Sequence, residues 1–224
     1  MQKRSSPDTE ETPRKRGRPV QMDQETREGI VLDAVAELLG TCRLEDVSMA
    51  AIARKSGMSK RTLYTIFASR EELLGATFAR IGQTIFRPLE PGDEALSLED
   101  RLDKLLTVNH MPQFEQAPLE LLRAVVAEAP IYPGVAMQFD AEGRGALIRY
   151  LAAEIAQAAG AGEIVLDGMS SKDAAELLAD MVMGNALHHL LTPLEPKPCD
   201  LSEEKRLRRK RAVSIFLNGL RPRG

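Results

Sequence analysis

The sequence predicts an all-α protein with a small N-terminal domain of short helices and a larger helical domain behind it. From Gln24 onward, apolar residues recur with the 3.6-residue period of a helix. Serine followed three residues later by an acidic residue, a pattern typical of helix N-termini, occurs at 69–72, 97–100 and 170–173. No segment alternates apolar and polar residues with the period of two that a half-buried strand requires.

The N-terminal part divides into a polar arm and four helices. Residues 1–22 are charged and polar, so we expect a disordered basic arm. A stripe of apolar residues then predicts a first helix from about residue 24. Ser48 and Gly57 fit the two ends of a short second helix, and Ser59 fits the start of a third at 60–67. Ser69 opens a longer helix to about residue 86.

The remainder predicts helices joined by loops rich in proline and glycine. We expect helices to begin near residue 97, to run at about 118–129 and 135–159, and to occupy 171–191 and 202–218. Three regions follow: the arm at 1–22, an N-terminal domain at 23–86 that includes the helix at 69–86, and a helical domain at 87–224.

Composition excludes several classes of protein. The 224 residues contain no apolar run of membrane-spanning length and no apolar stretch near the N-terminus, so we expect a cytoplasmic protein without a secretory signal. Two distant cysteines and adjacent histidines on different faces of a helix predict no metal site. No nucleophile elbow, phosphate-binding loop or paired catalytic carboxylates occur. The sequence therefore predicts a protein that is not an enzyme and needs no cofactor.

Charge is distributed unevenly along the chain. Residues 1–70 contain 13 Lys and Arg against 10 Asp and Glu, whereas residues 71–224 contain 17 against 23. Residues 47–70 contain five cations and no carboxylate. A solvated helix usually mixes both signs, so the one-sided charge indicates that this segment contacts an anion.

The spacing within this segment is that of a helix-turn-helix. Two short helices would meet across Gly57-Met58-Ser59, with the small Ala53 where they cross. Apolar residues at 52, 58, 63, 66 and 67 would hold the pair to the first helix. In this motif the second helix enters the DNA major groove, although any helical hairpin with glycine in its turn has plain packing as an alternative explanation.

The stretch "SMAAIARKSGMSKRTLYTIFASREELLGATF" resembles the DNA-binding domain of TetR-family transcriptional regulators. Its "TLY" followed by an aromatic residue and its "EEL" opening the next helix match that family, while Arg61 stands where many members have glycine. The resemblance implies that Ser48 and Ser59 cap helices and offer groups to phosphates, and that Arg70 contacts a phosphate. It also implies a DNA-facing set on the second helix of the motif: Lys60, Arg61, Thr62, Tyr64 and, close by, Thr65.

The run "RKRGRP" at 14–19 has two interpretations. Arg16 and Arg18 flank a glycine, and the following proline favours an extended backbone, which would suit an A·T-rich minor groove. Alternatively, the run is an unspecific basic tail that adds salt-dependent affinity.

The C-terminal helices are predicted to form the dimer and the effector site. The stretch "RAVVAEAPIYPGVAMQF" resembles, more weakly, the C-terminal domain of the AefR-like branch of the family. The family implies a homodimer through 171–191 and 202–218 and, at roughly 88–170, a pocket for a small apolar or amphipathic effector. Methionine and aromatic side chains at helical spacing more often belong to a core than to a pocket. The candidate pocket residues are Met111, Phe114, Leu122, Arg123, Met137, Phe139, Met181, Asn185 and His188.

Together these features predict a dimeric repressor that binds double-stranded DNA at a palindromic operator. An effector would release it by changing the tilt of the helix at 69–86, and with it the separation of the two recognition helices. The alternatives are a DNA-binding regulator controlled by a protein partner or without any effector, and an enzyme carrying a DNA-targeting module.

Overall fold

The computed structural model describes residues 23–42, 44–109, 118–184 and 200–222, and these residues confirm the all-α prediction. Within them the chain forms helices and short 3₁₀ turns and no strand. The α-helices are α1 (Gln24–Thr41), α2 (Met49–Ser56), α3 (Lys60–Ile66), α4 (Arg70–Ile85), α5 (Leu98–Leu105), α6 (Pro118–Glu128), α7 (Pro133–Glu142), α8 (Arg144–Gly160), α9 (Ser171–Met183) and α10 (Asp200–Gly219).

The predicted serine caps are confirmed, which explains why the helix starts were readable from the sequence. Ser69 accepts a hydrogen bond from the amide of Glu72 at 3.0 Å, and Ser97 and Ser170 cap α5 and α9 in the same way. Each cap satisfies an amide that would otherwise have no partner in the first turn.

The single helix predicted over 135–159 is wrong: α7 and α8 are separate and meet at Gly143. This residue has φ −90° and ψ −92°, which interrupts the helix. The cause is a close crossing with α4. A Cβ atom on Gly82 would lie 3.1 Å from the Gly143 nitrogen and 3.1 Å from the Phe139 oxygen. The two backbones approach closely at this point because both positions are glycine.

The prediction that one helix runs to residue 191 is also wrong, because α9 ends at Met183. Gly184 follows with φ +69°, a left-handed conformation that leaves the helical path. The Arg208 side chain donates from Nε to the Val182 carbonyl at 3.1 Å, which satisfies an oxygen near the helix end. Residues 185–191 lie outside the described part of the chain.

Two hydrophobic cores divide the molecule. The first joins α1 to α4 with α6 and α7, and Val125 and Val135 belong to it although they follow residue 86. The second contains Phe86 and side chains of α5, α8, α9 and α10. In the described residues the chain passes between the cores at the end of α4 and again at Gly143.

Ion pairs reinforce the second core. Arg101 on α5 is 7% exposed, and its guanidinium donates to Glu154 on α8 at 2.7 Å and to the Leu96 carbonyl at 2.7 Å. Arg209 on α10 donates to Asp103 on α5 at 2.7 Å. Both partners of each pair are largely buried, so each pair fixes the position of α5 against its neighbours.

Candidate nucleic-acid interface

The turn between α2 and α3 is built around Gly57. Its φ of +69° places it in the left-handed region, and the amide of Met58 donates to the Ala53 carbonyl at 3.0 Å. A non-glycine residue at this position would be strained. Ser59 then starts α3 by accepting from the amide of Thr62 at 3.0 Å. The turn therefore fixes the angle at which α3 leaves α2.

One side of α3 is buried in the first core. Leu63 is fully buried, Phe67 is nearly so, and Ile66 packs partly against the same core. The predicted packing roles of these three residues are confirmed. Because they fix the rotation of α3, the remaining positions must face outward.

The outward side of α3 presents most of the predicted DNA-facing residues. Lys60, Arg61 and Thr65 are exposed, and Tyr64 is 53% exposed. Thr62 is half-buried, and its hydroxyl lies 2.9 Å from that of Ser59. The Thr65 hydroxyl donates to the Thr62 carbonyl at 2.6 Å. The result is an exposed helix face with two cations, a phenol and no carboxylate.

Ser48 and Arg70 support this surface from within the domain. Ser48 caps α2 by accepting from the amide of Ala51 at 3.2 Å. Arg70 differs from the predicted phosphate contact, because its Nε donates to the Val47 carbonyl at 2.9 Å and its Nη2 donates to the Leu44 carbonyl at 2.8 Å. These loop carbonyls need hydrogen-bond donors, and Arg70 supplies them. The two hydrogen bonds hold the 44–46 turn against the start of α4. A phosphate contact through its remaining N–H groups stays a prediction.

Arg80, which no sequence pattern marks as functional, holds α4 against α1. Its Nη1 donates to the Gly29 carbonyl at 3.2 Å, and its Nη2 pairs with Asp33. With Arg70 at the other end, α4 is attached at two points to the elements that carry α3. No local signal in the sequence pairs residues 33 and 80, since the contact depends on how α1 crosses α4.

The predicted effector residues are not brought together in the described structure. Phe139 packs on Phe78 in the first core with ring centroids 6.1 Å apart, whereas Met181 packs against the second core. Met137 is 71% exposed, and Leu122 and Arg123 are half-buried on α6. The other candidates lie outside the described residues: Met111, Phe114, Asn185 and His188, as do Arg16 and Arg18 of the arm.

Two cavities occur elsewhere in the described part. One, of about 330 Å³, lies between the 89–94 linker, α5 and α8, and three glutamates and Arg101 line it. The other, of about 180 Å³, lies between the start of α5 and the end of α10. None of the predicted effector residues lines either cavity, so their grouping as one pocket is not supported by these cavities.

Comparison with known families identifies both halves of the chain. Residues 31–77 match the model of bacterial regulatory proteins of the tetR family. Residues 100–219, more than half of the chain, match the C-terminal domain of AefR-like transcriptional repressors. The chain is a TetR-family transcriptional regulator. The matched families are DNA-binding regulators and not enzymes, so the outward face of α3 lies on the family's DNA-binding domain.

Solved structures agree on the fold. The flavonoid-responsive regulator FrrA superposes with a TM-score of 0.64 at 24% identity, over 88% of this chain and 98% of that one. GusR of Salmonella enterica gives 0.61 at 22% identity, over 89% and 98%. A TetR regulator from Agrobacterium tumefaciens gives 0.61 at 20% identity, over 87% and 94%. At these identities the likeness establishes the fold of this TetR-family chain. No curated protein sequence matches it.

Among the described residues, no helix is both long enough and apolar enough to cross a bilayer.

Proposed function

We propose that this TetR-family protein is a homodimeric, cytoplasmic repressor that binds a palindromic operator and is released by a small apolar or amphipathic effector. The observation that carries the proposal is the outward face of α3, where Lys60, Arg61 and Tyr64 are exposed while Leu63 on the opposite side is fully buried. Such a helix is fixed by its core and free to enter a major groove.

The proposed DNA contacts of the α3 side chains follow from their hydrogen-bonding and apolar groups. Lys60 or Arg61 would donate to the O6 and N7 atoms of a guanine edge, and the Thr62 methyl group would contact a thymine methyl. The Tyr64 hydroxyl would donate to a phosphate, with Thr65 and the caps at Ser48 and Ser59 near the backbone. Phosphate contacts position the helix, and base-edge contacts read the sequence.

A dimer through α9 and α10 is proposed because one motif of this size reads only a few base pairs. Among their described side chains, these two helices expose three large apolar ones, namely Leu177, Leu207 and Ile215, at 53%, 40% and 63%. Exposed apolar residues on neighbouring helices favour contact with another protein surface.

In the proposed release mechanism α4 does not tilt alone, but moves together with the helices that it contacts. α4 is tied to α1 by Arg80, to the 44–47 loop by Arg70, and to α7 through the Gly82 crossing. We therefore propose that α1 to α4 move with α6 and α7 as one unit against α5 and α8 to α10. The chain would bend at the end of α4 and at Gly143, where it passes between the two cores. An effector must bind the two arrangements with different affinity to shift their populations.

The experiment that tests this function is binding of the purified protein to DNA from its own upstream region, measured against salt concentration. We expect protection of a palindrome and a slope of log K against log salt of about −0.9 per phosphate contact. A panel of apolar and amphipathic compounds, flavonoids included, should contain one that weakens binding. Weak binding that is indifferent to sequence would contradict the proposal.

The alternative is a DNA-binding regulator controlled by a protein partner or without an effector. It is favoured by the separation of Phe139 and Met181 into different cores and by the cavity of about 330 Å³, at the lower end of the size range of ligand pockets. Sequence-specific DNA binding that no compound of the panel changes, together with unchanged melting temperatures, would support this alternative.

The arm keeps its two interpretations, and deletion of residues 1–19 separates them. Arg18 lies five residues before Asp23, the N-cap of α1, so an extended chain reaches about 17 Å, roughly half a turn of DNA. A tail that acts through charge predicts that deletion weakens binding several-fold on all sequences and lowers the salt slope. An arm in the minor groove predicts a loss confined to operators with A·T-rich flanks. Competition assays on matched A·T-rich and G·C-rich flanks measure the difference.

A further inference from the structure

The cavity of about 330 Å³ between the 89–94 linker, α5 and α8 carries an excess of negative charge. Its charged lining consists of Glu90, Glu94, Glu154 and Arg101. Arg101 and Glu154 pair with each other at 2.7 Å, so their charges cancel. The two glutamates of the linker have no counter-charge in the lining, which favours a positively charged occupant.

These two glutamates are also weakly compensated from outside the cavity. Glu94 accepts a hydrogen bond from the Gly92 amide at 2.7 Å, and within the described part of the chain it has no ion-pair partner. Glu90 lies 3.7 Å from the ammonium of Lys104, which is closer to Asp93, at 2.7 Å. Lys104 therefore pairs mainly with Asp93. A cation in the cavity would have the carboxylates of Glu90 and Glu94 as partners.

The apolar part of the lining suits the stem of an arginine side chain. Leu89 and Pro91 flank Glu90 in the chain and line the same cavity. An arginine combines a planar guanidinium, which donates several hydrogen bonds to carboxylates, with an apolar stem that packs on apolar surface. A cavity of about 330 Å³ has room for one such side chain. The lining therefore fits an arginine in both its charged and its apolar parts.

The N-terminal arm at 1–22 begins on the side of the first core from which this linker leaves. Arg80, near the end of α4, donates to the carbonyl of Gly29 in the first half of α1, whereas Arg70, at the start of α4, donates to the loop that follows α1. The two helices are therefore antiparallel. Asp23, the N-cap of α1, lies towards the end of α4, where the linker starts.

The arm is basic enough and long enough to reach the cavity. Residues 14–18 contain four cations and no carboxylate. They lie five to nine residues before Asp23, so an extended chain spans about 17–30 Å. On the other side, Glu90 lies five residues after Ile85, the last residue of α4, and thus within about 17 Å of it. Packed helices are about 8–10 Å apart, so the whole separation falls within the reach of Arg14.

We propose that this cavity is an internal docking site for an arginine of residues 14–18, and that the contact withholds the arm from DNA. The inference rests on the proposed DNA-binding function and adds a self-inhibitory contact to it. Short flexible tethers give effective concentrations of about a millimolar or more, so the arm outcompetes free cations for the site. The arm then has two anionic partners, the cavity and a phosphate backbone, and it must leave the first to reach the second.

The first test removes the two linker carboxylates in the full chain, as Glu90→Gln with Glu94→Gln. The freed arm should strengthen operator binding about three- to tenfold at low salt, because docking lowers the fraction of protein that is competent to bind. The control is Glu99→Gln with Glu163→Gln, two exposed glutamates that line the other cavity, which removes the same charge elsewhere. Fluorescence anisotropy of labelled operator DNA measures the affinities.

A full-length arm-neutral chain, in which the four cations of residues 14–18 are replaced by alanine, shows whether the gain depends on the arm. Glu90→Gln with Glu94→Gln should leave the DNA affinity of this chain unchanged relative to the control pair, because no basic arm is left to release. In the wild-type arm the gain should shrink as salt is added, since screening weakens the docked contact as well.

A calorimetric test does not depend on DNA. A synthetic peptide of residues 12–20 should bind the arm-neutral chain, and its affinity should fall about tenfold or more when that chain also carries Glu90→Gln with Glu94→Gln. A peptide with lysine in place of its three arginines should bind several-fold more weakly, because an ammonium cannot make the bidentate contacts of a guanidinium.

The outcomes separate the inference from the proposed function. A gain in DNA affinity no larger than that of the control pair, or one that persists in the arm-neutral chain, overturns the docking contact but leaves DNA binding. A peptide that does not bind, or that binds equally without the two glutamates, also overturns it. Spermidine that binds at the cavity where the peptide does not would overturn it in favour of a free polyamine. Peptide binding without sequence-specific DNA binding supports the docking site and contradicts the proposed function instead.

Discussion

Replacing Arg61 or Tyr64 with alanine is expected to weaken operator binding by about 10- to 100-fold, in line with the 1–3 kcal/mol of a good base or phosphate contact. Both side chains are exposed on α3, and neither belongs to the first core. Their removal therefore leaves the fold intact, and the melting temperature should stay within about 1 °C of wild type. The loss of affinity would then reflect lost contacts with DNA and not a loss of folding stability.

The two substitutions should differ in their effect on sequence preference. Loss of Arg61 should relax the preference for one base pair, whereas loss of Tyr64 should weaken all sequences evenly, because a phosphate contact carries no base information. Tyr64→Phe separates the hydroxyl from the ring. Arg149→Ala, at an exposed site on α8, is the matched control for removing an arginine. Wild-type affinity in both α3 variants would mean that α2 and α3 are only a packed helical hairpin and that α3 is not the recognition helix.

The N-terminal domain could be predicted closely because its signals are local. Ser48, Gly57 and Ser59 mark helix ends by chemistry that acts within four residues, and the structure has α2 and α3 at those positions. Leu63 and Phe67 lie four residues apart, so their burial fixes which side of α3 faces out. The exposure of Tyr64 follows from the same periodicity.

The C-terminal region was predicted less well because long-range contacts decide it. Gly143 reads as an ordinary glycine inside a helical pattern, and the break there depends on Gly82, which is 61 residues earlier in the chain. Phe139 and Met181 both suggested a pocket by their type, but the path of the chain assigns them to different cores. The Nε and Nη2 groups of Arg70 likewise donate to the carbonyls of a loop that the sequence alone did not place beside it.

Gly82→Ala is expected to lower the free energy of unfolding by about 2 kcal/mol, even though alanine favours a helix by up to about 1 kcal/mol. The added Cβ would lie 3.1 Å from the Gly143 nitrogen, the Phe139 oxygen and the Glu142 Cβ. Two of these are backbone atoms, which cannot turn aside as a flexible side chain does. α4 and α7 must therefore separate, and chemical denaturation followed by circular dichroism measures the loss.

Two other helical glycines on the same packed elements provide matched controls for this substitution. A Cβ on Gly29 of α1 would approach only the end of the Arg80 side chain, at 4.0 Å, so Gly29→Ala should stabilise by about 0.5–1 kcal/mol. A Cβ on Gly75 of α4 would make ordinary contacts at 3.6 Å. The change in the free energy of unfolding in Gly75→Ala should therefore lie between those of Gly82→Ala and Gly29→Ala. A stabilising Gly82→Ala would contradict the close crossing.

The crossing also bears on release, because α4 and α7 make the most extensive contact between two helices in the described residues. If α4 moves together with α7, loosening their contact in Gly82→Ala should reduce the effect of an effector on DNA affinity more than it reduces DNA affinity itself. Gly29→Ala should leave the effector response unchanged, since the α4–α7 contact stays intact. An unchanged response in Gly82→Ala, measured where the variant remains folded, would show that the signal reaches α3 by a route that does not require α7.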